Sequence, residues 1–180
     1  MIKKWEVVNS EQLDSNRVFA TRKDTSVSPM TGEEHDFFVI EAPDWVNVVA
    51  VTDHDEVLLI RQYRHGIRSE TVEIPGGVVD EGEKPIDAAK RELLEETGYK
   101  SASWTQIGEV VPNPAIQSNR CYTFLARSCV KIEEPDFDST EYIETSTAPV
   151  ADMPDLVSGG EIDHSLVVAA FYWFFLYNRG

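Results

Sequence analysis

The stretch from Gly77 to Tyr99, GVVDEGEKPIDAAKRELLEETGY, constrains this chain more than any other. It reads as a loop followed by a helix. Pro85 brings a preset φ to the first turn, where its missing N–H would be unpaired anyway, and Gly98 can take the left-handed conformation that ends a helix. The helix is therefore expected over about residues 85 to 97. Glu92, Glu95 and Glu96 are spaced so that three carboxylates share one side of it. Such charges repel, unless a hard divalent cation with oxygen ligands turns the repulsion into binding. Arg91 precedes them and can hold a carboxylate with its planar fork, keeping the cluster oriented. The other reading of these residues alone is an acidic surface helix laced with intrahelical ion pairs.

The spacing of the whole stretch favours the cation. Gly77, Glu83, Arg91, Glu92, Glu95, Glu96 and Gly98, with Leu93 and Tyr99 at apolar positions, resemble the Nudix box without a mismatch. That family hydrolyses nucleoside diphosphates linked to a further moiety, using divalent metal held by this loop and helix. The resemblance implies that Glu92 and Glu96 are the main metal ligands, Glu95 a further one, and the Gly76 carbonyl a backbone ligand. It implies Mg²⁺ as the ion, with Mn²⁺ as the alternative.

Charge balance gives the metal a second purpose. The chain has 180 residues, enough for one domain with a sizeable core, and carries a formal charge of −16 from 16 basic and 32 acidic side chains. That charge argues against a nucleic-acid backbone or an anionic membrane as partner. A diphosphate would also be repelled by the mean field, so an enzyme acting on one needs bound cations and a few placed arginines. Cys121 and Cys129 form neither a disulfide framework nor a zinc spacing. The start, MIKKWEVVNSEQLD, has no apolar run of signal-peptide length, and the most apolar segment, Leu166 to Tyr177, is well short of a membrane span. A cytoplasmic protein is expected.

In chain order, Trp5 to Ile40 reads as three short strands, WEVV, RVFATRKDTSV and HDFFVIEAP, broken by the turn Ser28-Pro29-Met30-Thr31-Gly32. This antiparallel meander, assigned to residues 1–43, is too small to stand alone and should pack on the main domain, 44–180, or on a second subunit. Trp45 to Thr52 has the composition of a buried strand, and Asp53-His54-Asp55 turns it into Glu56 to Arg64. Thr71 to Gly77 is a strand entering the glycine loop, where small residues let the backbone approach a metal or phosphate.

Asn47-Val48-Val49-Ala50, Gln62-Tyr63-Arg64 and Glu73-Ile74-Pro75-Gly76-Gly77 resemble the ADP-ribose pyrophosphatase branch of the Nudix hydrolases, with similarity from about Val18 onward. The resemblance implies that Arg64 binds the diphosphate, Glu73 lines the site, and Phe37 lies near the base, in the chain's own pocket or a partner's. It also implies a homodimer joined through the meander. Beyond the box, Trp104 to Val111 and Arg120 to Ala126 read as strands around the rigid turn Pro112-Asn113-Pro114-Ala115. Bacterial enzymes of the branch usually carry Pro-Gly and, a few residues on, a glutamate that contacts the distal ribose. Pro114-Ala115 and Asn119 depart from that pattern, which opens the distal sugar to another nucleoside diphosphate sugar such as GDP-mannose.

Lys131 to Thr147 is acidic and polar, a loop ending in a strand at Tyr142 to Thr145. The family places a catalytic glutamate here, and Glu141 fits best, ahead of Glu144 and Asp138; Glu95 and Arg91 complete the expected catalytic set. Asp152 to Gly160 suggests a short helix ended by glycine, and Asp163 is expected to cap a final apolar helix over Ser165 to Tyr177. Its aromatic residues exceed one sheet contact, so the excess should meet another subunit or the meander. The four histidines, at 35, 54, 65 and 164, show no partner at useful spacing.

The fold expected is α/β: a Nudix α/β/α sandwich with a mixed sheet, the box and final helices on opposite faces, plus the meander. The function expected is Mg²⁺-dependent hydrolysis of nucleoside diphosphate sugars, ADP-ribose first. Two alternatives remain: a Nudix hydrolase of another nucleotide, such as a dinucleoside polyphosphate, NADH or capped RNA, or a non-catalytic ADP-ribose-binding sensor.

Overall fold

The computed structural model describes residues 1–137 and 142–179, and they fall into two compact units, Met1–Pro43 with Val111–Arg120, and Asp44–Val110 with Cys121–Gly180. The first holds a three-stranded antiparallel sheet in the order β1 (Glu6–Ser15), β2 (Ala20–Val27), β3 (Glu34–Glu41). Asn16 makes the first turn by accepting the Val18 and Phe19 N–H groups on its side chain. The second turn closes at Gly32, whose positive φ and N–H to the Ser28 carbonyl (2.9 Å) suit glycine. Strand β1 is longer than the sequence suggests. Polar residues 9–12 continue it by pairing with Arg22 to Thr25, helped by Ser10 to Asp24 (2.7 Å) and Lys23 to Glu11 (3.2 Å). All ten residues of β1 are exposed, so no apolar alternation marks its length. The loop after residue 110 adds to this unit through Ile40 N–H to the Ile116 carbonyl (2.7 Å).

The second unit is built on an eight-stranded mixed sheet. Its strands are β4 (Trp45–Thr52), β5 (Glu56–Arg64), β6 (Ser69–Glu73), β7 (Gly76–Val78), β8 (Tyr99–Lys100), β9 (Ser103–Val110), β10 (Cys121–Lys131) and β11 (Ile143–Pro149). The main path runs β11-β5-β4-β10-β8, with β6 on β5, β7 on β4 and β9 on β10. β4 and β10 are parallel; the other pairs are antiparallel. β10 and β11 both run further than expected, β10 by pairing with β8 and β11 by following β5 back to Glu56.

Strand parity divides the core. Val46, Val48 and Ala50 of β4, with Phe124 and Ala126 of β10, pack against Ala88, Ala89 and Leu93 of α1 (Pro85–Thr97). Val49, Val51 and Leu125 face the other way, with Met153 of the short helix α2 (Met153–Ser158) and Val167, Ala170, Phe171 and Phe174 of α3 (Ser165–Tyr177). Both faces of β4 are therefore covered, which is why its sequence is nearly continuously apolar. This is the mixed α/β sandwich expected, with the box helix and final helix on opposite faces. Cys121 and Cys129 are free thiols in this core, and burial pushes both up to about 12.

α1 starts at Pro85 and ends at Gly98, which has φ +72° and donates to the Leu94 carbonyl at 2.7 Å. A Cβ there would also strike the Glu133 backbone, so only glycine fits. The short helix α2 ends on a glycine as expected, Gly159, in a right-handed conformation, with a left-handed glycine following at Gly160. One expectation needs correcting. α3 is capped at His164 and not by Asp163, and no side chain caps it: the His164 carbonyl takes the Val167 and Val168 N–H groups at 3.0 Å, while its imidazole is directed elsewhere. No helix among the described residues is long and apolar enough to cross a membrane.

Candidate active site

The loop joining β6 to β7 is pressed between β4 and α1. Val48 N–H donates to the Pro75 carbonyl (2.8 Å), and Gly76 and Gly77 pair with Asn47 and Val46. A Cβ on Gly76 would run into the Val46 carbonyl oxygen, and one on Gly77 into the Glu92 carboxylate. Glycine here is a matter of space. Glu96, only 4% exposed, reaches back from α1 so that its Oε2 accepts the Gly76 N–H at 2.9 Å.

Arg91 gathers the acidic side chains. Its Nη1 donates to Glu92 (2.8 Å) and Glu95 (3.1 Å), its Nε and Nη2 to the two oxygens of Glu83 (3.2 and 3.0 Å), and Nη2 also to the Val78 carbonyl (3.0 Å). All five guanidinium N–H bonds thus have an acceptor. The Arg91 bonds hold the Glu83 carboxyl below its ordinary range against a smaller effect of burial. In the same way Arg91 is raised further above its ordinary value, chiefly by Glu83 and against partial burial. Glu92 and Glu95 are turned onto this fork, and among the described residues no three His, Cys, Asp or Glu side chains stand together as a metal-binding group. The donor set is nevertheless that of a hard cation: three carboxylates and a carbonyl along one loop and one helix face, with surplus negative charge.

A second cluster forms where β5, β6 and α3 meet. Arg64 ends β5 and donates through Nε and Nη2 to both oxygens of Glu73, each at 2.7 Å. Glu73 ends β6, is 3% exposed, and also accepts the Thr71 hydroxyl at 2.6 Å. Burial pushes this carboxyl up, but Arg64, Thr71 and nearby His164 together outweigh it and hold it below the ordinary carboxylate value. The Arg64 guanidinium lies 5.8 Å from the Trp45 ring centroid, and Trp45 Nε1 donates to Asn47 Oδ1 at 3.1 Å. Asn47 in turn donates to the Leu166 carbonyl of α3 at 3.0 Å.

The structure brings Gly76, Arg91, Glu92, Glu95 and Glu96 together around the loop, and Arg64 with Glu73 beside β6. Phe37 lies in the other unit, on β3, half-exposed and edge-on to Trp5 at 5.2 Å. Glu141 and Asp138 lie outside the described residues, and Glu144 is exposed on β11. Sequence reading missed Thr71, Trp45, Asn47 and His164. Thr71 had a signal, since it is two positions before Glu73 on one strand and shares its face. His164 had none: only the packing of α3 brings its Nδ1 to 3.7 Å from Glu73 Oε2.

The Nudix domain model matches residues 42–170. The chain is 33% identical over 125 residues to the ADP-ribose pyrophosphatase of Bacillus subtilis, covering 69% of this chain and 68% of the relative. It is 29% identical over 171 residues to the ADP-ribose pyrophosphatase of Mycobacterium tuberculosis, covering 92% and 80%. A crystal structure of an ADP compounds hydrolase superposes with a TM-score of 0.88 over 100% of this chain and 97% of that one, at 24% identity, which establishes a shared fold. The chain therefore belongs to the Nudix family, as a hydrolase of diphosphate anhydride bonds.

Proposed function

We propose that this protein hydrolyses nucleoside diphosphate sugars, with ADP-ribose as the preferred substrate and GDP-mannose as the next, in a Mg²⁺-dependent reaction. The observation that carries the reading is the glycine loop held against Glu92 and Glu96 while Arg91 fixes the neighbouring carboxylates. The relatives named ADP-ribose pyrophosphatase support the substrate class.

Glu92, Glu95, Glu96 and the Gly76 carbonyl would hold the ion; Mn²⁺ is the alternative. When bound, it supplies Lewis acidity at the phosphoryl oxygens and lowers the pKa of water. Arg91 keeps the glutamates oriented and limits their mutual repulsion. Arg64 binds the diphosphate and offsets charge on its oxygens in the transition state, with Glu73 fixing its plane. Glu141 takes a proton from the attacking water. The water oxygen bonds to one phosphorus, the anhydride P–O bond breaks, and the products are a nucleoside monophosphate and a sugar phosphate. Phe37 offers an aromatic face for the base. The division into a 1–43 meander and a 44–180 hydrolase domain, with the meander packed across a homodimer in the cytoplasm, belongs to the same reading.

The test is product release from ADP-ribose, GDP-mannose, UDP-glucose, NADH and a diadenosine polyphosphate, each with Mg²⁺ and with chelator. Metal-dependent cleavage confined to the diphosphate sugars is expected. Preference for NADH or the polyphosphate overturns the substrate assignment, and tight ADP-ribose binding without cleavage overturns the hydrolase reading in favour of a sensor.

A further inference from the structure

Glu73 Oε1 receives two donors, Arg64 Nε and the Thr71 hydroxyl, whereas Oε2 receives Arg64 Nη2 and has His164 Nδ1 at 3.7 Å. That separation is too long for a hydrogen bond. The His164 Nδ1 atom is itself buried and has no hydrogen-bond partner among the described residues. A buried ring nitrogen left without a partner costs stability unless some state of the protein supplies one.

The surroundings show which state that is. The His164 backbone is fixed by the two N–H groups its carbonyl accepts at the start of α3, and two residues on the Leu166 carbonyl is fastened to Asn47. Only side-chain rotation is left to the imidazole. On the other side, Arg64 is confined between Glu73 and the Trp45 ring. A phosphoryl group that draws the guanidinium toward itself weakens the Nη2 bond to Oε2 and strips a buried carboxylate oxygen of a donor. His164 Nδ1 is positioned to replace it, within about an ångström of bonding distance, and catalytic hydrogen bonds that are long without substrate commonly tighten with it.

We propose that His164 is a positioning residue for Arg64: its Nδ1–H closes on Glu73 Oε2 when Arg64 engages a diphosphate, so that Glu73 stays in place and the guanidinium is released toward the ligand in a fixed plane. The inference rests on the reading of Arg64 as the diphosphate-binding arginine. The neutral imidazole suffices, and the charged groups it faces are Glu73 of β6 and, through it, Arg64 of β5.

The experiment is steady-state hydrolysis of ADP-ribose with Mg²⁺ by the wild type, His164→Phe, His164→Asn, Arg64→Ala and the His164→Phe/Arg64→Ala double variant, with melting curves for each. One hydrogen bond to a charged group corresponds to roughly tenfold in affinity. His164→Phe should therefore raise KM by about five- to tenfold, with kcat little changed. His164→Asn, whose amide N–H stands where Nδ1–H was, should restore KM to within about twofold. On the Arg64→Ala background, His164→Phe should add nothing. Equal impairment by Phe and Asn, penalties that multiply in the double variant, or a fall in kcat together with a lowered melting point would each overturn the role and leave His164 as packing. An Arg64→Ala variant with unchanged KM would overturn the reading of Arg64 itself, independently of what His164 does.

Discussion

Arg91 and Arg64 are each gripped by glutamate, but the two grips are built and balanced differently. Every partner of Arg91 comes from the box: Val78, Glu83, Glu92 and Glu95. Three carboxylates meet one guanidinium, and Glu96 lies beside them on the same helix, so the cluster keeps negative charge to offer a cation. The Arg64 cluster draws on β4, β5, β6 and α3, with one buried carboxylate facing one guanidinium. Arg64 gives two of its five N–H groups to Glu73, and an anion that draws the guanidinium away leaves that buried carboxylate in need of another donor. On the proposed function, the first cluster would bind metal and the second phosphate.

If that division holds, the largest effect should come from Glu96. Glu96→Gln keeps the shape and the bond from Gly76 N–H while removing a hard anionic ligand, so kcat should fall by roughly a thousandfold with the melting curve intact. A parent-like rate with Mg²⁺ would break the metal assignment. Glu141→Gln should lower kcat by about a hundredfold with Mg²⁺ affinity kept, as read by metal titration; an unchanged rate would move the base to Glu144 or Asp138.

The two glycines separate architecture from chemistry. A Cβ on Gly77 meets the end of a flexible Glu92 side chain, which can move aside, whereas a Cβ on Gly76 meets the Val46 backbone, which cannot. Gly77→Ala should therefore fold normally and lose about tenfold or more in kcat/KM as Glu92 is displaced. Gly76→Ala should lose about 2 kcal/mol or more in urea unfolding. The reverse order would show that the loop is not pressed between β4 and α1 as described.

The same contrast explains what the sequence could reveal. Glu92, Glu95 and Glu96 share a helix face by spacing alone, and Pro85 and Gly98 mark the helix ends, so the box was legible residue by residue. So was the burial of β4, since Val46 to Val51 lacks the alternation of a half-buried strand. The exposed, polar β1 was misjudged because pairing and not burial sets its length. The cap of α3 falls one residue beyond Asp163 because no side chain caps this helix, so a capping residue type in the sequence had nothing to mark. His164 and Trp45 reach Arg64 through the order of strands, which no local pattern encodes.

A smaller effect is expected where Arg91 is removed. Arg91→Ala leaves Glu83, Glu92 and Glu95 without their shared counter-ion, and should cost about 1–2 kcal/mol in chelator. Mg²⁺ should then raise its melting point more than that of the wild type, because a cation can take over part of the neutralisation. Equal gains in both proteins would show that Arg91 and the metal do not share the same carboxylates.

The smallest effect, and the sharpest on the other cluster, is acid sensitivity at Glu73. Its carboxyl is held below the ordinary 4.5 because bonds from Arg64 and Thr71 outweigh burial. A depressed folded value means that the charged form stabilises the native state, fully so above the unfolded value and progressively less as pH falls through the folded one. Glu73→Gln removes that dependence. At pH 7 the variant should be less stable by about 1 kcal/mol, measured by urea unfolding, and the gap should narrow below about pH 4.5 as the wild type gives up its own charge. Asp24 and Glu83 are also held low, so both proteins lose stability in acid, and only the difference between them reports Glu73. A gap that stays constant down to the acid transition would mean that Arg64 and Glu73 are held by packing and not by charge. Glu73 would then need no substitute donor, and the contrast with Arg91 would fail at its second member.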